Sequence, residues 1–89
     1  MNDNTYINLA KHCIGLGHKK PYKRHGRYFY RPYRNYYAAG RKARESWDMM
    51  VDAGYAKAGE ENSHGGRMYW LTRAGLDWLG EELGIQILD

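Results

Sequence analysis

The chain has little of several residue types, and each shortage excludes a class of protein. Cys13 is the only cysteine among 89 residues, so no internal disulfide is expected and nothing indicates an oxidising compartment. No stretch approaches the roughly 20 apolar residues that a membrane span needs. Residues 1–8 lack the basic segment and apolar run of a signal peptide. The sequence therefore predicts a cytoplasmic protein that does not enter a membrane.

Acidic residues are almost missing from the first half of the chain. Residues 1–44 contain eleven lysines or arginines and one acid, Asp3, whereas residues 45–89 contain three bases and nine acids. The net charge of +4 thus hides two halves of opposite sign. This asymmetry favours a polyanionic partner for the basic half, with duplex DNA as the expected ligand. The alternative is an ordinary surface whose two poles partly neutralise each other after folding.

Residues that carry catalytic or metal chemistry are also few. No Ser–His–Asp arrangement, phosphate-binding glycine loop or nucleotide motif is present, so we expect no enzyme and no cofactor. His12, Cys13, His18 and His25 come nearest to a metal-ligand set, but their spacings match no zinc pattern. Cys13 falls on an apolar helical stripe, where it is expected to act as a small buried hydrophobe.

Aromatic residues, by contrast, are plentiful, with nine tyrosines and three tryptophans. They alternate with bases along residues 18–37, HKKPYKRHGRYFYRPYRNYY. Bases neutralise phosphates and tyrosines stack on nucleobases, so the pattern favours nucleic-acid binding, and single strands and RNA stay open as ligands. The alternative is that the rings pack in a thin core while the bases are solvated. The candidate binding residues of this stretch are Lys19, Lys20, Lys23, Arg24, Arg27, Arg31 and Arg34.

The N-terminal third predicts one helix and one strand. A helix is expected over residues 5–14, where apolar side chains recur at helical spacing, and the segment from Gly15 to Gly17 ends it. Three residues are candidates for its N-cap: Asp3, Asn4 and Thr5. Residues 27–31 predict a short strand, because Tyr and Phe favour pleated surfaces.

From Pro32 to Ala53 the apolar residues recur at three- and four-residue steps, which is typical of one helical face. The stretch is one helix or two helices joined at residues 38–40, and we favour two, the first opening at Pro32. The second helix would start near Arg41 with bases Arg41, Lys42 and Arg44 at its positive end, an unfavourable placement that indicates function. The same bases also stand at ordinary i,i+4 distance from acids, which is a purely structural alternative.

The last third predicts a hairpin and a capped helix. Gly54 ends the preceding helix, and strands are expected over residues 55–58 and 67–71 around a polar tip, residues 59–66. Thr72 is the expected N-cap of a helix that Gly84 ends, with Leu71 and Leu76 spaced as a hydrophobic staple. The apolar tail, residues 85–88, would add a strand or meet a second subunit.

The stretches VDAGYAKAG and GGRMYWLTRAGLDWL resemble winged-helix proteins of the MarR and PadR type, over residues 41–83. The resemblance implies a helix-turn-helix whose recognition helix is residues 41–53 and whose wing is residues 55–71. By this resemblance, residues of the recognition helix and of the wing would contact DNA. The matching positions on the helix are Arg41, Lys42, Arg44 and Glu45, and those on the wing are His64 and Arg67. Residues 18–37 also resemble small uncharacterised proteins of phage or prophage origin, a likeness that implies no activity.

The wing departs from that family, because its tip begins with Glu60 and Glu61, which repel phosphate. The sequence therefore predicts one α+β domain over residues 1–89. It is winged-helix-like, with three or four helices and a two- or three-stranded antiparallel hairpin wing. Its basic tract, residues 18–44, would grip DNA, as in a phage or bacterial transcriptional regulator that forms a homodimer. The alternative partner is a nucleic-acid-associated protein, for example a host nucleic-acid enzyme that a phage-encoded module inhibits.

Overall fold

A computed structural model of the chain describes residues 4–16, 20–32 and 34–88. These residues form three helices and six short strands. In chain order the elements are α1 (Asn4–Cys13), β1 (Tyr22–Arg24), β2 (Arg27–Tyr30), β3 (Tyr37–Ala39), α2 (Arg41–Asp52), β4 (Ala56–Glu61), β5 (Arg67–Leu71), α3 (Arg73–Leu83) and β6 (Gln86–Ile87). None of the helices in the described part of the chain is long and apolar enough to cross a membrane.

The strands form two three-stranded sheets, which confirms the α+β class. In the first sheet, of order β1-β2-β6, β1 pairs antiparallel and β6 parallel with β2. The second sheet has the order β3-β5-β4, and both of its pairings are antiparallel. Helix α2 connects β3 to β4, and α3 connects β5 to β6. The described residues thus contain six strands, against the three or four that the sequence indicated.

The prediction of a helix that begins at Pro32 is wrong. Residues 34–36 have no regular structure, and residues 37–39 form β3. Tyr37 and Ala39 face inward while Ala38 is exposed, so the burial period is two rather than 3.6. Tyr36, which the helical pattern assigned to a buried face, is 52% exposed. Pairing of β3 with β5 overrides the local spacing.

The signals for α1 and α2 are confirmed within a residue or two. Helix α1 ends as predicted at Gly15, whose φ of +71° is left-handed, and Leu16 N–H donates to Lys11 O at 3.0 Å to close the last turn. Helix α2 begins at Arg41, and Gly54 with φ +84° follows its end. The candidate cap Asp3 and the second terminating glycine, Gly17, lie outside the described residues.

The wing hairpin differs from expectation in one respect. Strand β5 has the predicted bounds, but β4 extends to Glu61, so Glu60 and Glu61 belong to the strand rather than to the tip. The turn that remains is organised by Asn62, whose Oδ1 accepts from His64 N–H and Gly66 N–H, both at 2.9 Å.

Helix α3 is fixed by the predicted cap. Thr72 Oγ1 accepts from Gly75 N–H at 3.0 Å, and the staple residues Leu71 and Leu76 are both buried. Thr72 Oγ1 also donates to Gly54 O at 2.8 Å, which joins the start of α3 to the end of α2. Gly84 ends the helix with φ +69°, as predicted. The tail forms β6, so the strand reading of residues 85–88 is confirmed.

One core unites the two sheets. Trp47 of α2 stacks on Tyr69 of β5 with ring centroids 5.4 Å apart, and both residues are fully buried. Tyr37, the cross-strand partner of Tyr69, also packs against Trp47, with ring centroids 5.4 Å apart. The remaining buried apolar residues come from all three helices, from the turn after α1 and from five of the strands: Ala10, Cys13, Ile14, Tyr30, Ala39, Met50, Ala56, Leu71, Leu76, Trp78, Leu79 and Ile87.

Candidate nucleic-acid interface

The most basic surface is a hairpin of which the sequence patterns predicted only one strand. Strand β2 was expected over residues 27–31, but its partner β1 was not. The two strands are joined by a two-residue turn, His25-Gly26, with φ values of +53° and +78°. Positive φ at both central positions is the geometry of the I′ turn, whose twist matches that of paired strands. The tight turn therefore fixes the register of the β1–β2 hairpin.

The two faces of the β1–β2 hairpin differ in chemistry. On one face Arg24 stands opposite Arg27, and Tyr22 stands opposite Phe29. The latter rings are stacked with centroids 5.9 Å apart and planes inclined by 27°. On the other face the ammonium of Lys23 lies 5.7 Å from the centroid of the Tyr28 ring. The ring contacts hold the extended side chains in place along the ribbon.

The base of the β1–β2 hairpin is anchored in the core. Tyr30 is fully buried and donates its hydroxyl to Ile14 O at 3.0 Å. Leu88 N–H donates to Tyr30 O at 2.7 Å, beside the parallel pairing with β6. Strand β1 is an edge strand, and all three of its residues are exposed. The fold therefore presents β1 to solvent from a fixed support.

The charge of the hairpin is of one sign. Residues 20–31 contain no acid, and their bases are all exposed: Lys20, Lys23, Arg24, Arg27 and Arg31. Beside the turn, an open groove of about 720 Å³ separates the hairpin from α3. Asp77 and Glu81 line that groove together with Arg27 and Tyr28. Acidic side chains therefore lie on one side of the turn. Strand β1, which contains Arg24, forms the opposite, solvent-facing edge of the sheet.

The bases of α2 divide into free and engaged side chains. Arg41 and Lys42 are exposed in the first turn. Arg44 instead donates from Nη1 to Glu61 Oε1 at 2.9 Å and to Gly65 O at 2.6 Å. Its hydrogen bond to Glu61, followed by that to Tyr69, raises the pKa of Arg44 above its usual value. Arg44 thus holds the wing against α2, and it pairs with Glu61 rather than with Asp48 of its own helix.

Asp48 and Arg67 complete a polar cluster around Tyr69. The Tyr69 hydroxyl donates to Asp48 Oδ1 at 2.5 Å, and the guanidinium groups of Arg44 and Arg67 lie near that hydroxyl. Burial, and then the bond to Asp48, raise the pKa of Tyr69. Arg67 is half-buried, and its Nε is buried without a hydrogen-bond partner. This cluster fastens α2 to β5, so Arg67 is turned toward the protein.

The remaining predicted bases lie apart from both groups. Arg34 is half-buried: it donates from Nη2 to His12 O at 3.0 Å, and its guanidinium lies 5.6 Å from the Tyr36 ring centroid. Lys19 lies outside the described residues. The structure therefore brings together the β1–β2 hairpin bases and places Arg34, Arg44 and Arg67 elsewhere, in contact with other parts of the protein.

The outward face of α2 is not basic beyond its first turn. Glu45, Met49 and Asp52 are exposed, and together with Arg41, Arg44 and Asp48 they line a groove of about 420 Å³. Met49 is 50% exposed. The helix has no acid in its first turn and no base in its last, as the sequence indicated. A phosphate backbone would be repelled by the C-terminal half of this helix.

Metal chemistry finds no support among the described residues, where no group of three His, Cys, Asp or Glu side chains could hold an ion. His18 of the rejected ligand set lies outside them. Cys13 is fully buried, and burial raises the pKa of its thiol to about 12. Its Sγ–H donates to Asn35 Oδ1 at 3.4 Å. The thiol is therefore a protonated core group.

Two contributions to the site were missed at the sequence level. Phe29 supports Tyr22, which becomes visible only once His25-Gly26 is recognised as a hairpin turn that sets the two rings opposite each other. Asn35 extends the β3–β5 ladder with its side chain, bonding Leu71 N–H at 2.8 Å and Leu71 O at 3.0 Å. No local pattern around Asn35 signals that role.

The arrangement offers exposed cations and rings on a rigid two-stranded ribbon, which suits contact with phosphates, sugars and bases. Comparison of the chain with known proteins finds no matching family model, no matching curated protein and no matching solved structure.

Proposed function

We propose that this protein binds nucleic acid through its β1–β2 hairpin, with duplex DNA as the ligand. The observation that carries the proposal is the hairpin itself: five exposed bases within residues 20–31, no acid among them, and rings between them. Because β2 is anchored by Tyr30 and β6, these charges are held in place before binding. Preorganised charges lose less conformational entropy when they meet a ligand.

We further propose that the domain is winged-helix-like and acts as a small transcriptional regulator of phage or bacterial type, as a homodimer. The order α2, β4, β5, α3 and the contacts of Gly54 and Thr72 support the resemblance. A strand, β3, precedes α2 where a helix-turn-helix has a helix. We therefore assign the phosphate grip to the β1–β2 hairpin, a secondary contact to Arg41 and Lys42, and the role of a frame to the β4–β5 wing.

Salt dependence tests the proposal directly. Each phosphate neutralised on duplex DNA contributes about −0.9 to the slope of log K against log salt. If Lys20, Lys23, Arg24 and Arg27 together neutralise three or four phosphates, the slope would be about −3 to −4, or roughly 40- to 150-fold weaker binding between about 50 and 200 mM salt. Fluorescence anisotropy with a labelled duplex of about 20 base pairs measures both quantities.

Micromolar or tighter affinity at the lower salt concentration, with that slope, is the expected result. Single-stranded DNA and RNA of the same sequence are titrated in parallel to rank the ligand classes. Absence of binding to all three probes at low salt would rule the proposal out.

A second candidate is a protein-interaction module, and one observation favours it. The acids of α2 surround the half-exposed Met49 along a groove, which suits a basic protein with an apolar contact rather than DNA. The candidate partner is a nucleic-acid-associated enzyme. A pull-down from nuclease-treated lysate, repeated with Met49→Glu, distinguishes it: a partner that is retained on the wild type and lost from the variant supports this function.

A further inference from the structure

Two arginines face each other at the tip of the β1–β2 hairpin. Arg24 and Arg27 are direct cross-strand partners, and they flank the two-residue turn. Like charges in directly opposed positions destabilise a strand pair. Arg44–Glu61 and Arg73–Asp77 are ion pairs of the described residues, and neither contains a tip arginine. Asp77 and Glu81 line a groove with Arg27 without forming an ion pair with it. The strand pair therefore contains a repulsion that neither ion pair relieves.

The turn prevents the two arginines from separating. His25 has φ +53°, an uncommon value for a residue with a side chain, and Gly26 has φ +78°. A slip of one residue would move Tyr22 and Phe29 out of their stacked position. The two guanidinium groups consequently stay on one face, within reach of a common anion. Local features that conflict with the fold's own stability are expected at functional sites.

We infer that Arg24 and Arg27 form a clamp that binds one backbone phosphate of a nucleic acid, with the Tyr22–Phe29 ring pair against the adjoining nucleoside. This inference rests on the proposed nucleic-acid binding and names the group that the hairpin tip recognises. Each guanidinium presents a planar fork of donors that fits the oxygens of a phosphate. One shared anion converts the Arg–Arg repulsion into two attractions.

The ring pair favours nucleic acid over other sources of phosphate. Tyr22 is 43% exposed, and its ring lies on the same face of the hairpin as the two arginines. A sugar or base beside the bound phosphate would cover that apolar surface, whereas an inorganic phosphate would leave it in water. The clamp and the rings together therefore match the alternation of phosphate and nucleoside along a strand.

A double-mutant cycle tests the shared phosphate. Arg24→Gln, Arg27→Gln and the double variant are titrated with the labelled duplex by anisotropy at two salt concentrations. If both arginines hold one phosphate, each single change weakens binding about 10-fold, and the double change adds less than about threefold more. The salt slope of the double variant then falls by about 1, the value for one phosphate. Additive losses with a slope change of about 2 would overturn the clamp.

Arg24→Glu separates binding from folding. It places opposite charges across the hairpin, so the melting temperature is expected to stay equal or rise while DNA binding is lost. Lys57→Glu is the matched control, because Lys57 is an exposed strand residue outside the hairpin and the charge change is identical. Retained DNA binding by Arg24→Glu, or an equal loss with Lys57→Glu, contradicts the clamp.

Two competition experiments identify the source of the phosphate. Phosphatidylserine vesicles and inorganic phosphate are offered as competitors of the duplex. Tyr22→Ala is expected to weaken duplex binding while the affinities for the two competitors stay weak and unchanged, which supports the nucleic-acid assignment, and vesicle binding tighter than duplex binding overturns it. A wild-type protein that binds no nucleic acid refutes the proposed function, whereas a binding wild type with an additive cycle refutes only the clamp.

Discussion

At the scale of single residues, the end of α1 shows how groups from elsewhere in the chain satisfy the last carbonyls of a helix that packs in a small core. The last carbonyls of a helix have no partners within it. Here His12 O accepts from Arg34, Cys13 O from the backbone N–H of Tyr36 at 3.2 Å, and Ile14 O from the Tyr30 hydroxyl. The residues between β2 and β3 therefore serve the helix end, which explains why Arg34 points inward despite its charge.

Cys13 gives a pH prediction. Its pKa is raised from 9.0 to about 12, mainly by burial, against smaller lowering contributions from Leu71 and Arg34. A raised pKa contributes stability that is present below the unfolded value near 9 and is lost as the pH rises toward 12. Between pH 9 and 10 this group alone should cost about 1 kcal/mol of unfolding free energy.

Chemical denaturation followed by tryptophan fluorescence, under reducing conditions at pH 7, 9 and 10, measures the effect. Cys13→Ala is the control: it should lower stability at pH 7 by about 1 kcal/mol because it removes a buried group. Its stability should then fall less steeply above pH 9 than that of the wild type. Equal slopes for the two proteins would show that Cys13 is not the responsible group.

At the scale of elements, the sequence predicts best where the signal is local. Thr72, Gly54 and Gly84 each act within one turn of chain, and all three helices and β5 follow from such signals. Strands β3 and β6 have three and two residues, and their stability comes from partners far along the chain. The inward turn of Arg44 is likewise invisible locally, because its partner Glu61 is seventeen residues away. Long-range pairing explains why the helix predicted from Pro32 was wrong, whereas β1 was missed because the His25-Gly26 turn that joins it to β2 was not recognised.

The junction between α3 and the start of β4 gives a stability prediction. A Cβ on Gly75 would lie 2.0 Å from Tyr55 O, an impossible approach to backbone. Tyr55 O also accepts from Thr72 N–H at 3.1 Å, so the carbonyl is held in place. Gly75→Ala should therefore lower the unfolding free energy by about 3 kcal/mol or more, the upper range for overpacking.

Thermal unfolding compares Gly75→Ala with Gly59→Ala. A Cβ on Gly59 would make only ordinary contacts, the nearest at 3.5 Å from Met68 O, so a change within about 1 kcal/mol is expected there. Similar melting temperatures for the two variants would mean that α3 can move away from β4 at little cost.

At the scale of the whole molecule, placement of charge matters more than its sum. The elongated molecule measures 47 × 23 × 19 Å along its principal axes and has a net charge of +4. The bases of the β1–β2 hairpin lie in the first sheet, and the acids lie mainly on α2, β4 and α3. Positive charges that are clustered attract a polyanion to one surface, whereas the same charges dispersed over the molecule would attract it weakly everywhere.

Two pairs of substitutions test whether placement or net charge governs DNA binding. Two double variants each remove two positive charges from exposed positions. The hairpin variant carries Lys23→Gln and Arg24→Gln, and the α2 variant carries Arg41→Gln and Lys42→Gln. The hairpin pair should weaken binding more than about 10-fold and reduce the salt slope by about 1 to 2, because phosphate contacts are lost. The α2 pair should weaken it less than about threefold, because Glu45, Met49 and Asp52 face any duplex that approaches the helix. Anisotropy titrations at two salt concentrations measure both, with circular dichroism to verify folding. Equal losses would show that net charge sets the affinity, and a larger loss from the α2 pair would move the interface to that helix.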